Sequence, residues 1–128
     1  MTTIDQEQDS RNWERQGCEL CQQGQYIEAL SVFDRVIAID RKYSTAWNYR
    51  GNALSGLKRF AEALASYDRA IFIQPQYHQA WFNRGLLLAE IGAYGNALES
   101  YERAIAIVPE PQYLHAMEDI WLKRKLIA

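Results

Sequence analysis

Cysteine occurs twice, proline three times and glycine seven times in 128 residues. Two cysteines exclude the disulfide framework of small secreted domains, so stability has to come from packing. So few prolines and glycines exclude collagen-like and low-complexity chains. Positive charge is not in excess either: 14 Lys+Arg against 16 Asp+Glu leave a net charge of −2, which provides no general field for phosphate and argues against nucleic acid as a partner. No run of about 18 apolar residues is present to span a bilayer. The start, MTTIDQEQDS, shows no basic segment followed by an apolar one, so the expected location is the cytoplasm, without membrane attachment. What is present is 48% apolar and 12% aromatic residues, enough apolar surface to offset the entropy of ordering one soluble domain.

A period of 34 residues organises the chain. Trp13, Trp47 and Trp81 share it, as do Gly17, Gly51 and Gly85; Ala29, Ala63 and Ala97; Arg35, Arg69 and Arg103; and Ile37, Ile71 and Ile105. Three units follow without insertion, at 10–43, 44–77 and 78–111, with 1–9 ahead of them and 112–128 behind. Within a unit the apolar residues recur at three and four positions, as in Phe60, Ala63, Leu64, Tyr67, Ala70 and Ile71, which predicts helices. The breaks fall at Gly24, around Gly56 to Arg59, and at Gly92, and the second helices end ahead of Pro75 and Pro109. Each unit is therefore a helix hairpin. Gly51, one turn after Trp47, lets two backbones approach, and stacked pairs bury a core that neither helix could bury alone.

Trp47-Asn-Tyr-Arg-Gly51-Asn-Ala-Leu54, Ala63-x3-Tyr67 and Pro75 resemble the tetratricopeptide repeat. The pattern returns as Trp81, Gly85, Leu88, Ala97, Tyr101 and Pro109, and as Trp13, Gly17, Leu20, Ala29 and Phe33. Departures are Gln16, Arg50 and Arg84 where the family usually has leucine before the glycine, leucine where it often has tyrosine three residues later, and Arg41 at the place of the final proline. The resemblance implies an all-α, right-handed α-solenoid of three helix-turn-helix units, closed by a capping helix over 112–128, seven helices in all. Leu114, Met117 and Trp121 form the stripe expected to face inward on that helix. Residues 1–9 are expected to be disordered.

In proteins of this kind the first helices of the units line a concave groove, which implies a peptide-binding face. The candidate contact residues are Asn48, Tyr49, Asn52, Gln79, Phe82, Asn83 and Leu86: amides that can pair with a peptide backbone, beside rigid aromatic area. One branch of the family clamps acidic carboxyl-terminal tails of chaperones with lysine, arginine and asparagine. The matching places here hold Glu14, Cys18, Tyr49, Gln79 and Asn83, without the cations that a terminal carboxylate needs. Cys18-Glu-Leu-Cys21 has the spacing of a zinc or redox pair, but no second pair completes four ligands and the thiols fall mid-helix, so two small side chains are the preferred reading. Arg50 and Arg84 are expected to reach acids of a neighbouring unit, and the repeated Asp/Glu-Arg pairs ending at Arg35, Arg69 and Arg103 to be structural. No catalytic constellation or cofactor site is evident. The expectation is a non-enzymatic adaptor for a protein or peptide partner; the alternatives are self-association through the groove or the last helix and, more distantly, thiol chemistry at Cys18 and Cys21.

Overall fold

The computed structural model describes residues 3–127, with side chains from Asp9 to Leu126. Among these residues the fold is all-α, a helical repeat of seven helices: α1 (Thr3–Gln22), α2 (Tyr26–Ile39), α3 (Ser44–Gly56), α4 (Phe60–Ile73), α5 (His78–Glu90), α6 (Tyr94–Ile107) and α7 (Pro111–Ile127). They fall into two compact units, one through Ile73 holding α1 to α4 and one from Gln74 holding α5 to α7.

The hairpin turns have one chemistry. Gly24 and Gly92 adopt left-handed φ values of 76° and 83°. The Gln25 and Ala93 amides reach back to the Leu20 and Leu88 carbonyls, each at 2.8 Å, closing the helix ends in Schellman fashion. At the equivalent place in the second hairpin the left-handed residue is Lys58, φ 62°, with the Arg59 amide on the Leu54 carbonyl at 2.9 Å. Gly56, within the segment expected to hold the break, is instead the last residue of α3, and a Cβ there would meet the Tyr26 ring at 2.5 Å.

Close approach explains the repeated glycine after the tryptophan. A Cβ on Gly17 would lie 2.6 Å from the Phe33 ring, one on Gly51 2.5 Å from Tyr67 and one on Gly85 2.4 Å from Tyr101. The aromatic ring of the second helix lies over the glycine rather than beside it. The tryptophans sit half-buried: Trp47 is flanked by the Arg50 and Arg69 guanidinium groups at 5.7 and 6.0 Å, and Trp81 by Arg84 and Arg103 at 5.9 and 5.7 Å. Their indole N–H groups donate to the Arg41 and Pro75 carbonyls at 2.9 and 3.1 Å. Because the backbone oxygen does the fastening, Arg41 can stand where proline is usual.

Arg50 donates to Asp34 at 2.8 Å and to the buried Ser66 hydroxyl at 2.7 Å. Arg84 donates to the buried Ser100 hydroxyl at 2.7 Å. Arg50 thus reaches an acid of the preceding hairpin, as anticipated, and both arginines gain a serine that the motif did not announce.

Two expectations need correction. Residues 3–9 are helical, not disordered, while Met1 and Thr2 lie outside the described residues. No proline or glycine interrupts Thr3 to Gln16, and extending a helix from the turn anchored by buried Ser10 adds a hydrogen bond per residue without a new nucleus. On α7 the buried residues are Tyr113 and Ile120, whereas Leu114 and Trp121 are exposed. The two stripes lie one residue apart and both are apolar; the Tyr113 ring decides between them by packing 4.4 Å from Phe82.

Candidate functional site

In the first unit α1, α3 and the residue just ahead of α3 bring Glu14, Cys18, Tyr43 and Tyr49 together. The Tyr43 hydroxyl donates to Glu14 Oε2 at 2.6 Å. Burial and the adjacent carboxylate push the Tyr43 phenol up to about 12. Tyr49 stacks on buried Phe33 with ring centroids 5.7 Å apart, and its hydroxyl hydrogen-bonds to Cys18. The Cys18 thiol is nevertheless pushed up to about 11, chiefly by burial and then by Glu14 and Cys21, and burial raises Cys21 as well. Both therefore stay protonated at neutral pH, the opposite of a poised redox thiol. Among the described residues no three His, Cys, Asp or Glu side chains converge as metal ligands would.

Of the sequence-derived contact residues in this unit, Tyr49 is half-buried. Asn48 is 2% exposed and offers no surface to a peptide. Helix α3 packs against α1, α2 and α4, so its buried residues lie on most of its sides. Asn52 is half-buried, and its Oδ1 accepts the Tyr67 hydroxyl at 2.7 Å. That bond makes Asn52 a support for the core ring first and a surface amide second.

In the second unit α5 carries the remaining candidates. Gln79 is exposed, Phe82 and Asn83 are half-buried, and Leu86 is 44% exposed. Phe82 is locked between Tyr101 of α6, 5.6 Å away, and Tyr113 of α7, 4.4 Å away. The Tyr113 hydroxyl and His78 Nδ1 share a 2.7 Å hydrogen bond that ties the start of α7 to the start of α5, and burial raises the Tyr113 phenol. The result is an aromatic platform in which Tyr101 and Tyr113 are buried and only Phe82 reaches the surface, with an exposed leucine and amides along the same helix.

Tyr113 and His78 belong to this cluster although neither stood among the sequence-derived contact residues. The available signal was Tyr113 itself, an aromatic in the first turn after Pro111 and seven residues before Ile120. Among the described residues no helix is long and apolar enough to cross a membrane.

Comparison with known proteins accords with the fold. Two family models, each described as tetratricopeptide repeat, match residues 14–78 and 51–120. No curated protein sequence matches the chain. Among solved structures, the first TPR domain of Spaghetti (RPAP3) bound to the HSP90 peptide SRMEEVD is 22% identical, with a TM-score of 0.84 over 94% of this chain and 95% of that one. The second TPR domain of human RPAP3, in complex with the HSP70 peptide SGPTIEEVD, is 21% identical, with a TM-score of 0.81 over 90% and 97%. The Sgt2 TPR domain of Aspergillus fumigatus is 21% identical, with a TM-score of 0.84 over 92% and 79%. With family models matching more than half of its length twice over, the chain belongs to the tetratricopeptide repeat family.

Proposed function

We propose that the protein is a non-enzymatic interaction module that binds a peptide segment of a partner protein on the first helix of its second unit, through Gln79, Phe82, Asn83 and Leu86, and that Tyr49 offers a separate contact on the first unit. The observation that carries this reading is the platform of Phe82 held between Tyr101 and Tyr113, with Leu86 exposed beside it. Rigid aromatic area with an open apolar neighbour and amides at the border is the composition of a binding hot spot. The similar RPAP3 domains hold peptides ending in Glu-Glu-Val-Asp. This chain has Glu14, Cys18, Tyr49, Gln79 and Asn83 where such a carboxylate would be clamped, with Glu14 already bound to Tyr43. The partner segment is accordingly not an acidic chain end. Two unbridged thiols fit a reducing compartment, and we assign the protein to the cytoplasm.

Selection of peptides from a random displayed library tests the reading. Binders lost in a Tyr49→Ala, Phe82→Ala, Asn83→Ala variant of unchanged helicity support it, and binders retained equally by that variant overturn it. A selected peptide should bind equally well with a free or an amidated carboxyl terminus. A second reading, self-association, draws on Trp121, Leu122 and Leu126, exposed on α7; a molecular mass that doubles with concentration in sedimentation would favour it.

A further inference from the structure

A cavity of about 240 Å³ opens between α5, α6 and α7. Its walls include Leu86, Ala89 and Ile120, and Glu90 and Asp119 add carboxylates against the single ammonium of Lys123. The volume falls below that of pockets for whole small molecules, about 300 to 1,000 Å³, and suits one long side chain. Tyr101 also lines it. That residue is only 1% exposed, yet no hydrogen bond to its hydroxyl is found among the described residues. The equivalent tyrosine one repeat earlier, Tyr67, donates to Asn52 at 2.7 Å, and 34 residues after Asn52 stands Leu86. No side-chain nitrogen or oxygen fully shut off from solvent lacks a partner among the described residues, so the unbonded Tyr101 hydroxyl reaches the cavity space. Burial and the Asp119 carboxylate push its phenol up to about 12.

We infer that this cavity receives a cationic side chain, lysine or arginine, of the bound peptide, its stem against Leu86, Ala89 and Ile120 and its charged head between Asp119 and the Tyr101 hydroxyl. This rests on the reading that the second unit binds a peptide. The hydroxyl accepts from the ammonium or guanidinium while Asp119 supplies the opposite charge, and a charge-assisted bond in a partly enclosed site is stronger than at an open surface. Lys123, one turn beyond Asp119 on the same exposed face, is a weak surface competitor. An aliphatic side chain would leave the hydroxyl unpaired and the carboxylate partly desolvated. Preference for a cation is the reverse of what a clamp for acidic tails would show.

The test is an amide NMR titration of the whole chain with Nα-acetyl-lysine N-methylamide and with its norleucine analogue, which has the same stem without the charge. The lysine derivative is expected to shift amides around Leu86 to Glu90 and around Asp119 to Lys123, and to bind at least about fivefold more tightly than norleucine. The exposed substitution Asp119→Asn and the conservative Tyr101→Phe should each weaken lysine about threefold or more at unchanged melting temperature. Equal binding of the two derivatives, lysine binding unaffected by Asp119→Asn, or shifts confined to other helices would overturn the assignment. If selected peptides still need Phe82 and Asn83 while lysine and norleucine bind alike, the peptide-binding reading stands and the cation pocket falls. If lysine is discriminated but no peptide depends on Phe82 and Asn83, the pocket stands and the peptide-binding reading falls.

Discussion

Replacing Gly51 with alanine puts a methyl group where the Tyr67 ring already is. Three ring atoms would lie 2.5, 2.6 and 2.9 Å from the new Cβ, against about 3.5 to 4.0 Å for ordinary carbon contact, so the ring has to withdraw by about 1 Å. Tyr67 is 2% exposed and its hydroxyl is tied to Asn52 at 2.7 Å, which leaves no free direction. Overpacking of this sort costs about 1 to 3 kcal/mol, and breaking the Asn52 bond about 0.5 to 1.5 kcal/mol more. Alanine returns about 1 kcal/mol through better helix propensity. The expected net loss is about 1 to 3 kcal/mol, read as a lower midpoint in urea followed by far-ultraviolet circular dichroism. The decisive comparison repeats the substitution on a Tyr67→Leu background. With the ring gone, alanine should stabilise, by up to about 1 kcal/mol, and the difference between the two backgrounds measures the ring contact. If Gly51→Ala stabilises the chain with Tyr67 in place, the close-approach account of the repeated glycine is wrong.

Ser66→Ala removes the hydroxyl that accepts from the partly buried Arg50 guanidinium and should cost about 1 to 2 kcal/mol in urea denaturation, whereas Asp34→Asn, at the more exposed end of the same arginine, should cost under about 1 kcal/mol. Cys18, raised from near 9 to about 11, keeps its proton in the folded state after the unfolded chain has lost it; its contribution is therefore full below about pH 9 and declines as pH rises through about 11. Alkaline loss of stability across that window should be smaller in Cys18→Ala, and alkylation of Cys18 at pH 8 should run roughly 100-fold slower than that of an unhindered thiol, since the thiolate fraction falls by about that factor.

How much of this was legible in the sequence divides along physical lines. The period and the hairpins could be read because each depends on residues of one kind recurring at one interval, and three copies of Trp-x3-Gly reinforce one another, whereas the glycine, expected to let two backbones approach, lies under the aromatic ring of the second helix. Features that occur once were harder. Lys58 adopts a left-handed turn that the sequence marks with glycine at the other two hairpins, so the break could be placed only within Gly56 to Arg59. On α7 the choice between Leu114/Trp121 and Tyr113/Ile120 is one of 100° of rotation, settled by the Phe82 ring and the His78 bond rather than by any local preference. Asn48 carries an amide that suits a surface, and only the packing of α3 against its neighbours makes it buried. The hydroxyl of Tyr101 gains its interest from a residue that is missing, the asparagine that Leu86 replaces.

The proposed binding face lies on the first helices. Amide chemical-shift mapping of the labelled chain with a selected peptide measures this directly. The expected shifts lie on α5 around Gln79 to Leu86 and on α7 around Tyr113 to Ile120, with a second set around Tyr49 on α3. Shifts confined to α2, α4 and α6 would contradict it.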